Sequence, residues 1–158
     1  MRTTAAALAL TSLALAPGPA VAQSPAPAGG TARAEECREA DTALERAKRL
    51  LEKRDDAAAL AAIEAAKKGC PWPTSEYFVV HGRVLARTKS WNDAVMQFHE
   101  ALRLEPGSAD AANGLAEVFF VSRRYEQARV VLRNAEAAGA KVDAELKKSI
   151  EEKLAPKR

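Results

Sequence analysis

Apolar residues recur every three or four positions from about residue 34 to residue 154, with Glu, Lys and Arg between them. This spacing places one apolar stripe along each of several amphipathic helices. The pattern therefore predicts an all-α protein. The expected helices cover residues 34–54, 57–68, 75–88 and 91–104, two more within 109–138, and a last one over 143–154.

Start and stop signals support these boundaries. Thr74 or Ser75 can cap the third helix by accepting a backbone hydrogen bond. The segment Ser90–Asp93 has the separation of a capping box at the start of the fourth helix. Gly69 and Gly139 are suitable C-terminal stops for the second and sixth helices. The first six helices are therefore expected to form three helical hairpins.

Small and large apolar residues recur with a fixed period in the middle of the chain. In the hairpin over 75–106 these landmarks are Phe78, His81, Gly82, Leu85, Trp91, Ala94, Phe98, Ala101 and Pro106. Seven of these positions recur 34 residues later, as Leu115-Ala116, Phe119, Tyr125, Ala128, Leu132 and Ala135. Small residues let two helices approach closely, and large ones fill the space between helices. The shared period favours stacked repeats over an ordinary helical bundle.

The landmarks resemble the tetratricopeptide repeat pattern, in which an aromatic residue, Leu-Gly and Tyr precede Ala, Phe and a closing Pro. The resemblance covers about residues 40–154 and implies an α-solenoid of about three antiparallel helix pairs plus a C-terminal capping helix. Residues 34–156 are thus expected to form one helical-repeat domain. The first pair matches the pattern through Ala47, Leu50, Ala59, Ile63 and Ala66.

The first 33 residues are expected to lie outside that domain. Residues 1–22 have a positive start, a short apolar run and an Ala-Val-Ala site, which predict a signal peptide cleaved between Ala22 and Gln23. The alternative, an uncleaved anchor, is disfavoured because the apolar run is shorter than the ~20 residues that span a bilayer. Residues 23–33 are rich in Pro, Ala and Gly, so they predict a disordered linker. The chain is expected to be exported to the bacterial periplasm or secreted.

Cys37 and Cys70 are the two cysteines of the chain. An even count in an exported protein indicates a disulfide. In the architecture that the resemblance implies, the first helix of a pair begins beside the end of the second, so the two cysteines would meet and staple the alanine-rich first pair. The alternative, a redox pair, lacks the CxxC spacing and an activating neighbour.

The sequence contains little that indicates catalysis. No motif for a nucleophile, a phosphate loop or a metal site is present, and no cofactor is implied. The two histidines lack metal-ligand partners in sequence: His81 is expected to be a satisfied core residue, and His99 to lie on the surface or between repeats. The net charge of +3 comes from interspersed signs, which is unlike a nucleic-acid-binding arm. We expect neither enzyme activity nor a membrane span.

The resemblance also implies a concave groove lined by the first helices, which commonly holds a peptide or helix of another protein. The groove-facing residues in this sequence would be Lys48, Leu51, Val79, Arg83, Ala86, Arg87, Asn113, Glu117, Phe120 and Val121. Arg83 and Arg87 are one turn apart and suit an acidic side chain or a C-terminal carboxylate. The alternative is that both are ordinary exposed arginines.

Two functions remain open at this point. The first is an exported adaptor that binds a protein segment in the groove. The second is a structural subunit of an envelope assembly, which would use the convex face or the apolar stripe of the last helix, formed by Leu146, Ile150 and Leu154. The sequence leaves the identity of the partner and the oligomeric state undetermined.

Overall fold

A computed structural model describes residues 37–70 and 73–156 of the chain. The expected signal peptide (1–22) and linker (23–33) lie outside the described residues. Within the described part the secondary structure is entirely helical, which confirms the all-α prediction. The helices are α1 (Arg38–Glu52), α2 (Asp56–Gly69), α3 (Ser75–Arg87), α4 (Trp91–Leu104), α5 (Ala109–Val121), α6 (Tyr125–Ala137) and α7 (Ala144–Leu154).

Consecutive helices pack as pairs, α1 with α2, α3 with α4 and α5 with α6. The first helices of successive pairs also touch, so α3 lies against both α1 and α5. This is the stacking expected of an α-solenoid, in which each repeat contacts its neighbours. Trp91 and Tyr125 hold equivalent places, since each begins the second helix of its pair and packs against the core. None of the described helices is long and apolar enough to cross a membrane.

The first helix of every pair ends in the same way. Arg54, Lys89 and Arg123 follow α1, α3 and α5 with φ of 60°, 64° and 59°. In each case the amide of the next residue donates to the carbonyl five positions back, which closes a Schellman motif. Glycine usually holds this left-handed position, because a Cβ atom strains it. The chain places a basic residue there three times, while Gly139 ends α6 in the ordinary way with φ of 87°.

Two of the predicted end signals act differently in the structure. Thr74 caps α3 as expected, with Oγ1 accepting from the Tyr77 amide at 3.2 Å. Ser90 is the N-cap residue of α4 but forms no side-chain cap hydrogen bond, so the expected capping box is absent. Gly69 is still helical at the end of α2, where a Cβ atom would lie 3.2 Å from the Ala40 amide nitrogen. Gly69 therefore permits close packing of α2 on α1 and does not form a left-handed turn.

The apolar core has two clusters. One lies between α1, α2 and α3, and the other extends from α3 to α7; Phe78 packs against both. The second cluster is centred on Phe98, which is 1% exposed. A Cβ atom added to Gly82 or Gly114 would come within 2.9 or 2.5 Å of the Phe98 ring. The absence of side chains at both glycines therefore lets three helices enclose one aromatic ring.

The two ends of the described fold are closed by different devices. At the first pair Cys37 and Cys70 form a disulfide with a Cα–Cα distance of 4.7 Å, which joins the start of α1 to the end of α2. At the last pair Ile150 of α7 is 1% exposed, and Leu146 and Leu154 pack beside it on the core. The apolar stripe of α7 thus covers the last repeat, as a capping helix should.

Candidate partner-binding groove

A concave cavity of about 640 Å³ lies along α1, α3 and α5. Its walls include most of the residues that the sequence placed there, namely Lys48, Leu51, Arg83, Ala86, Arg87, Asn113, Glu117 and Val121. We call this cavity the groove. It opens to solvent on one side, and Val121 is 59% exposed at that opening. A cavity of this volume is within the range of ~300–1,000 Å³ typical of ligand sites.

Two residues expected in the groove lie elsewhere. Val79 is 5% exposed and belongs to the core, because its side chain points to the interface of α3 with the next repeat. Its neighbour Val80 lines the groove instead, at the floor. Phe120 packs on the core with its ring 5.4 Å from that of Tyr125, edge to face. Adjacent helix positions differ by ~100°, so a shift of one residue moves a side chain from the groove to the interior.

The floor of the groove is the part that sequence reasoning missed. Beyond the predicted residues, the groove is lined by Glu52, Val80, Trp91, Phe98, Gly114 and Val118. Gly114 lacks a side chain where Val80 stands in the preceding repeat, and the Phe98 ring occupies the space that a Cβ atom would take there. A glycine in the interior of a predicted helix was the available signal, since such a residue weakens the helix unless close packing requires it.

Arg87 is held by the first repeat. Its Nε atom lies 2.6 Å from Oδ1 of Asp56, and its Nη1 atom donates to the Leu51 carbonyl oxygen at 2.9 Å. Arg83 is held by the third repeat, with Nη2 2.8 Å from Oδ1 of Asp110. The two guanidinium groups are therefore anchored in opposite directions. The arrangement expected from their one-turn spacing, a joint clamp for a carboxylate, is not formed.

Lys48 completes a series of contacts between the first helices of neighbouring repeats. Its Nζ atom pairs with Glu76 on α3 and, at 2.6 Å, with Glu45 on its own helix. Lys48, Arg83 and Glu117 are equivalent residues, since each lies six positions before the left-handed residue that follows its helix. Two of the three equivalent positions thus carry a cation bound to an acid of the next repeat.

Glu117 departs from that series. Burial raises the pKa of Glu117, the Arg83 charge lowers it, and the charge of Asp143, the residue before α7, adds to the rise. Asp143 itself uses one carboxylate oxygen to cap α7, and its amide donates to Oδ1 of Asn113 at 2.9 Å. Among the described residues, Glu117 has no ion-pair partner within 4.0 Å.

The two histidines lie away from the groove. His81 packs on Tyr77, with ring centroids 5.7 Å apart, and burial lowers its pKa. Its Nδ1 atom is buried without a hydrogen-bond partner, so the expected satisfied core residue is only half satisfied. His99 is exposed on α4. In residues 37–70 and 73–156 no three His, Cys, Asp or Glu side chains are grouped to hold a metal ion.

Stacked helix pairs with a shared core and a concave groove define a helical-repeat protein of the α-solenoid class. Residues 85–150 match the family model described as tetratricopeptide repeat. This match supports the resemblance to the tetratricopeptide repeat family that the landmarks predict. A comparison with curated proteins gives no match. Tetratricopeptide repeats generally mediate protein–protein interaction, so the partner of this chain is expected to be a protein.

Proposed function

We propose that this chain is an exported, non-catalytic adaptor that binds a peptide or helical segment of another protein in the groove. The observation that carries the proposal is the groove itself, a cavity open to solvent between charged walls and closed at its floor by the almost fully buried Val80, Phe98 and Val118. Ligand sites combine such a floor with a few polar groups that fix orientation. The proposed contact residues are the groove-lining residues named above, without Val79 and Phe120.

Export is part of the same proposal. The N-terminal 22 residues have the composition of a cleaved signal, and the paired cysteines suit an oxidising compartment. The mature protein would then begin at Gln23 and carry its repeat domain over residues 34–156. N-terminal sequencing of the protein from an envelope fraction tests this: a start at Gln23 supports export with cleavage, and a start at Met1 contradicts it.

Site-specific photocrosslinking tests the use of the groove. A benzophenone amino acid replaces Val121 at the groove opening, and in a matched protein it replaces Val130 on α6, which is 50% exposed outside the groove. We expect a crosslinked protein at position 121 and not at position 130. Ala86→Arg, which puts a bulky side chain on the groove wall, should abolish that product while leaving the circular dichroism spectrum unchanged.

The alternative function, a structural subunit, could use the convex face or the apolar stripe of α7, and only the convex face is available. The apolar stripe of α7 is used internally, because Ile150 and its neighbours cover the last repeat. The convex face remains: Met96 and Val130, at equivalent positions of α4 and α6, are 56% and 50% exposed. A crosslink at position 130 that is absent at position 121 would support this alternative and reject groove binding.

A further inference from the structure

The charge that a ligand meets in the groove differs from the charge that the sequence suggests, because the cationic side chains of the groove already form ion pairs within the protein. Lys48, Arg83 and Arg87 each form an ion pair with an acid on a neighbouring helix. Exposed pairs of this kind add little to stability, but each one neutralises a positive charge that a ligand would otherwise meet. Glu52 and Glu117 also line the groove, and no ion pair within 4.0 Å involves either of them in the described part of the chain. The uncompensated charge of the groove is therefore negative.

Glu117 is the more informative of these two acids. At the equivalent positions of the first two repeats a cation meets an acid of the following repeat, as Lys48 meets Glu76 and Arg83 meets Asp110. At the third junction both residues are acids, and Glu117 lies within electrostatic reach of Asp143. Burial and the Asp143 charge both raise the pKa of Glu117, whereas the Arg83 charge lowers it. The junction lacks the cation that its two predecessors contain.

We propose that the segment bound in the groove carries a Lys or Arg whose cationic group docks on Glu117. This inference rests on the proposed function, and it reverses the acidic partner that Arg83 and Arg87 indicate from sequence alone.

The surroundings of Glu117 suit a long basic side chain. Val121 lies one helical turn further along α5 and is exposed, and Val118 lines the floor beside it. The methylene stem of Lys or Arg packs on apolar surface while its charged head reaches a carboxylate. Once bound, that cation would stabilise the charged form of Glu117 and complete the series of inter-repeat ion pairs.

Peptide selection followed by a charge swap tests the inference. Random sixteen-residue peptides displayed on phage are selected on the full-length chain, and the peptides whose binding Ala86→Arg abolishes are retained. We expect the retained peptides to share a Lys or Arg among apolar residues. Their affinity should fall about fivefold with Glu117→Gln, the upper range for one solvent-accessible ion pair, and further with Glu117→Lys. Glu152→Gln on the exposed face of α7 removes the same charge outside the groove and should leave the affinity unchanged.

The swap assigns the contact to one pair of residues. Changing the basic residue of a selected peptide to Glu should weaken its binding to the wild type and restore binding to the Glu117→Lys variant. Retained peptides that are acidic, or that ignore Glu117→Gln, would overturn this inference while leaving groove binding intact. A selection in which no peptide responds to Ala86→Arg would instead overturn groove binding, and this inference with it.

Discussion

The basic residues that follow the first helix of each pair combine a strained backbone conformation with a favourable charge. Arg54, Lys89 and Arg123 have left-handed backbone conformations that cost a non-glycine residue about 1 kcal/mol. A positive charge at a helix C-terminus offsets part of that cost through the helix dipole. These positions are therefore expected to be strained sites within an otherwise regular fold.

Replacing Arg123 with glycine should relieve that strain. We expect Arg123→Gly to raise the free energy of unfolding by up to about 1 kcal/mol, measured by urea denaturation. The adjacent residue is a matched control: Arg124 has a φ of −91°, and its guanidinium lies 4.6 Å from the centre of the Phe119 ring. Arg124→Gly should give no gain. A loss of stability for Arg123→Gly would show that the charge outweighs the strain.

His81 should make stability depend on pH. Burial lowers its pKa in the folded protein; the charges of Glu64 and Asp93 and a hydrogen bond with Gln97 oppose the shift, and the Lys67 charge adds to it. Well above pH 6.5 the histidine is neutral in both states and causes no penalty. As pH falls below 6.5, the unfolded chain binds the proton more readily, so stability falls.

The measurement is the urea midpoint at pH 7.5 and pH 5.5. His81→Leu, which supplies the apolar residue usual at this landmark, should remove most of the difference between the two values. His99→Gln at the exposed histidine should keep it. An unchanged pH response in the His81→Leu protein would assign the effect to other groups.

At the scale of the helix, α7 covers the apolar face of the third repeat. Ile150 of α7 is buried against the third repeat, so Ile150→Asp places an unpaired carboxylate in an apolar site. We expect a loss of at least about 3 kcal/mol in unfolding free energy by urea denaturation. Val130→Asp, at a half-exposed position of α6, should cost less than about 1 kcal/mol. Equal losses for the two variants would mean that α7 does not cover the repeat.

Helix boundaries and pairing could be predicted from sequence because they depend on local residues. Apolar spacing and the Thr74 cap act within a few positions of the chain, and the structure agrees with both. The prediction of a Ser90 cap was wrong because residue types do not show the backbone geometry of the N-cap residue, which here has a ψ of 63°. Val79 was misplaced because helical spacing alone does not say which of two adjacent valines faces a neighbouring helix.

The state of the groove could be predicted only in part, for a different physical reason. Its location and most of its walls follow from the repeat pattern. The availability of Arg83 and Arg87 does not, since each is bound by an acid that lies 27 or more residues away in sequence. A charge read from sequence is therefore not the charge that a ligand meets.

At the scale of the whole molecule, stability is expected to differ between the repeats. The buried residues of α1 and α2 are alanines apart from Leu44 and Ile63, whereas the second cluster contains Phe98, Phe119 and Leu132. Smaller side chains bury less apolar area and so contribute less free energy. The disulfide compensates at the weaker end, since closing a loop of this size contributes about 3–4 kcal/mol in the chain-entropy description.

Removing the disulfide should therefore loosen one end of the molecule selectively. In the Cys37→Ser, Cys70→Ser double variant we expect faster amide hydrogen exchange in α1 and α2, with little change in α5 and α6. Reduction of the wild-type protein should reproduce the pattern. A uniform rise in exchange across all helices would show that the repeats unfold as one cooperative unit.

The same crosslink has a mechanical consequence. If the chain is pulled from its N-terminal side, tension that reaches Cys37 crosses directly to Cys70 through the covalent bridge. The 32 residues between them, including α1 and α2, form a closed ring that the force bypasses. The alanine-rich first repeat is thereby shielded from stretching, and α3 is the first helix on which a pulling load acts.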